Sequence, residues 1–255
     1  IGRGWKWGPD HFPDYTTPEK YGMITIIMRN GQEVNGVKPD IDEALRYLGA
    51  GNGAPETLRR EISAMADRLA GQLQPRWTYQ VFDLRREDGA FRLCGPDIVL
   101  AGRTAERMLA QCGQAVLLAC TLGVRFDALL RAEQVRDMAR AVMLDACGSA
   151  LVESGCNAAE GEIRARFPDR YLTDRFSPGY GDLPLTLQPS ICAALDMPRR
   201  LGVHVTGSLL MNPAKSVTAV IGLSDRPQRA RIRGCAYCSM RETCTLRKGG
   251  KSCAL

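Results

Sequence analysis

Apolar residues recur along the chain with two different periods, and each change of period marks a change of element. In "PETLRREISAMADRLAGQLQ", Leu58, Ile62, Met65, Leu69 and Leu73 follow one another at three- and four-residue steps, the spacing that lines one face of a helix. "WTYQVFDLRREDGAFRL" instead alternates on both sides of Asp88-Gly89, a pair suited to the left-handed turn of a two-residue β-hairpin. Upstream, "MITIIM" from Met23 predicts a strand that turns at "RNGQEV". "DIDEALRYLG" then predicts a short helix with an acidic first turn and a glycine stop. "TAERMLAQC" predicts a helix with Thr104 as its N-cap, and "QAVLLACTLG" is an unbroken apolar run of strand length ended by Gly123. From about Arg125 to Phe167 the pattern is helical with a break near Arg136, and Pro168 closes it. "PSICAALDMPRRLG" predicts one more short helix, and "GVHVTGSLLM" and "SVTAVIGLS" predict two strands joined by the turn "NPAK". Interleaved helices and strands with hairpins among them predict an α/β or α+β body: a twisted mixed or antiparallel sheet with flanking helices.

A chain of 255 residues with 45% apolar composition can bury a sizeable core as one large domain with an appendage, or as two domains. No apolar run approaches the ~20 residues a bilayer-spanning helix needs, so no membrane span is expected. The opening "IGRGWKWGPDHFPDYTTPEKYG" has no apolar segment of the secretory kind. Residues 1–22 read as a leader or expression remnant ahead of Met23, residues 23–225 as the folded body and residues 226–255 as a tail. A cytoplasmic protein is the simplest expectation. The net charge of +6 is concentrated in that tail, because Arg226 to Lys251 holds eight Lys or Arg against one Glu, leaving about −1 for everything else. Such a run is either a solvated terminus or a surface for an acidic partner.

The ten cysteines divide in the same way. Cys94, Cys112, Cys120, Cys147, Cys156 and Cys192 are scattered through apolar sequence, where free cysteine behaves as a small buried hydrophobe. Cys235, Cys238, Cys244 and Cys253 are spaced C-x2-C-x5-C-x8-C in a segment with almost no apolar residues, so core packing does not account for them. In a reducing compartment such spacing reads as a set of metal ligands, either a tetrahedral zinc site or an iron–sulfur cluster. Familiar catalytic constellations are missing. The two histidines are His11, in the leader, and His204, in a predicted strand, so no Ser-His-Asp arrangement can be built. Neither G-x-G-x-x-G after a strand nor G-x-x-x-x-G-K-[ST] occurs, which excludes the usual nucleotide-phosphate cradles.

What remains is "DRFSPGYGDLPL", in which an arginine, a Pro-Gly pair and a tyrosine crowd into one loop. Taken singly, Pro178-Gly179 is a turn, Tyr180 a packing residue and Arg175 a surface charge. Taken in order with the downstream run they form a pattern: Arg175, Pro178, Gly179 and Tyr180, then Gly202, Val203, Thr206, Ser208, Met211, Pro213, Ser216 and Val217. This resembles the activation domain of cobalamin-dependent methionine synthase, with its R-x-x-P-G-Y loop followed by G-V-x-L-T-x-S-x-x-M-x-P-x-x-S-V. A weaker likeness extends over roughly residues 100–224, and the continuation "GDLPLTLQP" is that of free-standing activation proteins.

The resemblance implies a protein that binds S-adenosylmethionine and supports reductive methylation of the cob(II)alamin form of a separate corrinoid methyltransferase, with methionine synthase the expected partner. A flavodoxin- or ferredoxin-like protein would supply the electron. It implies further that Arg175 takes the carboxylate of S-adenosylmethionine. The backbone of Ser177 would contact the adenine, Pro178 and Gly179 would bring the chain close to the ligand, and Tyr180 would flank it; Glu153 is the candidate for its ammonium. The late tyrosine of the synthase domain has no evident counterpart. Methyl transfer to cobalt needs no general acid or base, in keeping with the scarcity of histidine. The alternative from another class is a zinc knuckle in the tail that binds nucleic acid or protein, with the body as scaffold.

Overall fold

The computed structural model describes residues 36–50 and 53–228, and Glu242 besides. The predicted strand "MITIIM" and its turn lie outside the described residues, as do Cys235, Cys238, Cys244 and Cys253. Two helices come first among the described residues. Helix α1 (Ile41–Tyr47) starts where the Asp40 carboxylate accepts from the Glu43 amide, and α2 (Glu56–Gln72) buries the expected stripe of Ile62, Met65 and Leu69. Strand β1 (Arg76–Glu87) turns back through Asp88-Gly89, both at positive φ, into β2 (Ala90–Leu93). The hairpin prediction holds to the residue. Strand β3 (Val99–Leu100), helix α3 (Arg103–Leu109) and strand β4 (Gln114–Thr121) follow, then α4 (Val124–Arg136) and the long α5 (Met138–Arg166). The break expected near Arg136 is real: Asp137 has extended backbone and its carboxylate caps the amides of Ala139 and Arg140.

Beyond α5 lie β5 (Tyr171–Leu172), a single 3-10 turn, and helices α6 (Gln188–Ala194) and α7 (Met197–Leu201). The chain then forms β6 (His204–Val205), β7 (Met211–Asn212) and β8 (Ser216–Ser224). Among the described residues six strands form one sheet in the order β3-β2-β1-β4-β8-β5, every neighbouring pair antiparallel. The α+β expectation is thereby met, with the antiparallel option realised. Both faces of the sheet are covered. Val116, Leu118 and Cys120 of β4 meet α1, α2, α4 and α5, whereas Ala115, Leu117 and Ala119 meet α3, α6 and α7. This explains why β4 is continuously apolar instead of alternating: neither of its faces sees water.

Three details differ from the sequence reading. Thr104 is not the cap of α3; Gly102 holds that position, and the capping carboxylate comes from Asp182, far along the chain. "PSICAALDMPRRLG" is two helices, because Asp196 between them sits in the left-handed region at φ 49. "GVHVTGSLLM" does not extend the main sheet. Among the described residues its two ends, β6 and β7, pair only with each other, since Thr206 Oγ1 bonds Ser208 Oγ and the Leu210 amide and so closes a local turn, with Leu209 at φ 64. Short hydroxyl side chains compete with a ladder in this way. Among the described residues no helix is long and apolar enough to cross a membrane.

Helices α4 and α5 approach closely at Gly148, where an added Cβ would stand 2.2 Å from the ring of the fully buried Phe126. Glycine to alanine in a helix ordinarily gains up to about 1 kcal/mol. Here the overlap decides the sign, and Gly148→Ala is expected to destabilise by about 1–3 kcal/mol, the usual cost of an overpacked core. A urea unfolding curve with an unmoved or raised midpoint would contradict this packing.

Candidate functional site

The edge of the sheet beside β8 positions the arginine of the loop. Residues 171–176 run along β8 as an interrupted strand: Thr173 donates its amide to Gly222, and Phe176 exchanges backbone bonds of 3.0 and 2.7 Å with Val220. Alternation along this edge sends Phe176 into the core under α3 and α6. It turns Arg175 to the opposite face, beneath α5. There Glu153, Asn157 and Glu160, at i, i+4 and i+7, share one helix face. Arg175 donates Nη1 to Asn157 Oδ1 at 2.8 Å and to the Glu160 carboxylate, and Nη2 to the Glu153 carboxylate. Its side chain is only 9% exposed, that of Glu160 14%, whereas Glu153 remains 32% exposed. Burial alone would lower the Arg175 pKa, but Cys156, Glu160 and Glu153 more than offset it and raise it, so the guanidinium stays charged.

Helix α1 closes the other side of Glu153. Glu43 is buried and is bonded by Arg46, which holds its carboxyl below the usual range against the effect of burial. The Arg46 guanidinium lies 4.6 Å from the centre of the Tyr47 ring. Burial first, then the charges of Glu153 and Glu43, pushes the Tyr47 phenol up to about 12. Beneath this layer Cys120 and Cys156 are fully buried; a hydrogen bond that engages the neutral Cys120 thiol with Cys156, followed by burial, raises that thiol well above its ordinary value. The two cysteines are thus packing residues, as expected of the scattered six, and Cys147 and Cys192 are buried as well. The cluster of α1 and α5 holds three carboxylates, Glu43, Glu153 and Glu160, against the two guanidiniums of Arg46 and Arg175.

Ser177 to Leu183 form a compact turn that leaves this edge for the other face of the sheet. Tyr180 donates its amide to Ser177, Leu183 to Tyr180, and Gly179 to Leu183 at 2.8 Å. Gly179 has φ +87, and a Cβ there would stand 3.3 Å from Leu185, so glycine is what the path requires. Pro178 is buried and Tyr180 exposed. Asp182 then accepts from the Arg103 and Thr104 amides at 2.6 and 3.0 Å, satisfying two orphan donors of α3.

The structure therefore brings together two of the residues singled out by sequence, Arg175 and Glu153, as partners of one another. Ser177, Pro178, Gly179 and Tyr180 form the adjoining turn. Asn157, Glu160, Tyr47 and the Glu43–Arg46 pair escaped the sequence reading. The polar i, i+4, i+7 row within an otherwise apolar stretch of α5 was the available signal for the first two. The downstream motif has a structural use. Thr206 and Ser208 staple the β6–β7 turn, and Ser216 donates to the Pro213 carbonyl and bonds Thr121 Oγ1 at 2.8 Å. His204 is an exposed residue of β6. Among the described residues no group of three or more His, Cys, Asp or Glu is arranged to hold a metal ion.

No protein-family model matches the chain, and no curated protein matches it. Among solved structures it matches the crystal structure of the MetH reactivation domain bound to AdoHcy, with a TM-score of 0.58 at 18% identity, over 86% of each chain. The likeness is one of fold: the chain has the architecture of that reactivation domain.

The hydrogen bonds of the Thr104 side chain, then of the Thr104 and Arg103 amides, push Asp182 down to about 2. Because an ordinary aspartate titrates near ~3.9, this anchor contributes fully above that pH and is lost as pH falls through the folded value. Asp182→Ala is expected to cost about 1 kcal/mol at neutral pH, the usual worth of a helix cap, and less in strong acid. Chemical unfolding at neutral and acid pH checks both; an equal cost at the two pH values would refute the assignment.

Proposed function

We propose that this chain binds S-adenosylmethionine at the Arg175 edge and serves the reductive methylation of cob(II)alamin on a separate corrinoid methyltransferase, methionine synthase being the expected one. The observation that carries the proposal is the likeness, over 86% of both chains, to a reactivation domain crystallised with AdoHcy, the species S-adenosylmethionine becomes when it gives up its methyl group. The partner's corrinoid, reduced by a flavodoxin- or ferredoxin-like donor, would supply the nucleophile, and the methyl group would pass to it from the sulfonium, whose sulfur would keep the bonding pair and become a neutral thioether. No proton moves, so the chain needs to supply position and charge, not acid or base.

Arg175 and Glu153 suit the amino-acid end of the ligand. A guanidinium fork matches a carboxylate in two parallel bonds, and a carboxylate takes an ammonium. In the free protein the two occupy each other, with Glu160 and Asn157 completing the shell around Arg175. Binding therefore exchanges one internal ion pair for two to the ligand, with Glu153, the more exposed carboxylate, as the arm that moves. Ser177, Pro178, Gly179 and Tyr180 would line the path toward the adenosyl group. Cys235, Cys238, Cys244 and Cys253 enter the proposal as a metal–thiolate site, zinc or an iron–sulfur cluster; thiolate is a ligand for either, and a coreless basic segment gains order from one.

Calorimetric titration with S-adenosylmethionine tests the reading. Removing Arg175 would break its buried pairs with Glu153 and Glu160, at a folding cost of about 3–5 kcal/mol, so Arg175→Ala confounds binding with stability. Glu153→Gln keeps the shape and is the informative variant: the wild type should bind, and the variant should bind roughly tenfold more weakly, about 1.4 kcal/mol, with its unfolding midpoint little changed. Wild-type protein that takes up no ligand would end the proposal. For the tail, protein purified without oxygen should show either a broad absorption near the visible edge, meaning a cluster, or no colour with stoichiometric bound zinc. Metal-free protein would remove the thiolate site.

A further inference from the structure

A concave site lies between α2, α4 and the first turns of α5. It encloses about 190 Å³. Its floor is apolar, made by Met65 and Leu69 of α2, Leu129 of α4 and Leu144 of α5. Its rim is cationic: Arg68, Arg136 and Arg140 stand around it with a single acid, Glu133. Glu133 is taken up by Arg140 at 3.5 Å. Among the described residues, Arg68 and Arg136 have no carboxylate within ion-pair distance, and both are exposed. Two uncompensated guanidiniums above an apolar floor are costly neighbours for anything except an anion with an apolar body.

Size selects among such anions. Sites for whole cofactors and drug-sized ligands run to roughly 300–1,000 Å³, so this hollow accepts a side chain or two, not a complete ligand. A protein side chain is an occupant of that size, and the cationic rim selects one flanked by carboxylates. From Leu144, the groove residue of α5 nearest the cluster, to Glu153 is nine residues, or about 14 Å at 1.5 Å per residue.

We propose that the α2–α4–α5 groove is a docking site for an acidic amphipathic segment of a partner protein, with an apolar anchor on the Met65–Leu69–Leu144 floor and carboxylates on Arg68 and Arg136. The mode is that of an amphipathic helix laid in a groove, in which apolar anchors one turn apart supply the burial and flanking charges set the partner. This inference does not depend on the methyl-transfer reading.

The full chain is titrated, by fluorescence anisotropy, with a labelled helical peptide bearing Leu at i and i+4 flanked by Glu, and with a control in which every Glu is Lys. The expected result is saturable binding of the acidic peptide that weakens roughly tenfold in the double variant Arg68→Glu, Arg136→Glu and falls with ionic strength, while the Lys control does not bind. Both substituted side chains are exposed, and an unchanged unfolding midpoint confirms that the variant is folded. Leu144→Gln, aimed at the floor, should weaken binding without altering the ionic-strength dependence. No binding of the acidic peptide, equal binding by the variant, or equal binding of the control overturns the proposal. So does an Arg68- and Arg136-dependent affinity for anionic vesicles or for octanoate in the absence of any for the peptide, which would assign the groove to a lipid surface or a small carboxylate.

Discussion

A guanidinium cannot be buried without partners, and that constraint fixes the relation between the longest helix and the edge of the sheet. Arg175 leaves the edge beside β8 and finds Glu153, Asn157 and Glu160 on one face of α5. Slide α5 by one residue, and the helix face turns by about 100°, leaving a nearly buried cation unpaired. The pairs therefore act less as a source of net stability than as a register mark, since desolvation consumes much of the Coulombic gain. Everything else in the site follows from this alignment: α1 packs over the same stretch of α5, which sets Tyr47 and the Glu43–Arg46 pair beside Glu153.

The loop from Ser177 to Asp182 is governed from the other face of the sheet. At Gly102, at φ +101, a Cβ would meet the Asp182 carboxylate at 2.9 Å; at Gly181, at φ +60, it would meet Thr104 Oγ1 at 2.6 Å. Both glycines are required by the closeness of the approach as well as by the backbone angle. The turn thus hangs between two fixtures, Phe176 in the core at one end and Asp182 on α3 at the other. Its Pro-Gly step has little freedom left, which is how a short exposed segment keeps a defined shape.

Much of this was legible in the sequence where the signal is local. The Asp88-Gly89 hairpin, the stripe of α2, the break between α4 and α5 and the antiparallel character of the sheet follow from turn chemistry and periodicity. Reading was weaker wherever a distant residue makes the decision. Thr104 looks like a helix cap until Asp182, nearly eighty positions away, takes the role. "GVHVTGSLLM" has strand composition throughout, but Thr206 diverts it into a turn. Within the site, the pattern around Arg175 pointed to the loop, and Glu153 was chosen as a second group. That the two bind each other in the free protein could not be read from either residue alone, because it depends on which face of α5 the edge strand meets.

The covering of the sheet has a consequence for how the protein breathes. Strand β4 is sheltered on both faces and paired along its length on both sides, so its amides open only when the whole body comes apart. Among the described residues, the stretch that carries Arg175 lies at the rim, hydrogen-bonded to a single strand through a few backbone groups. Rims of this kind loosen by themselves, at a small fraction of the free energy of global unfolding. The arginine is therefore mounted where the chain can give way briefly and close again while the centre of the molecule stays shut.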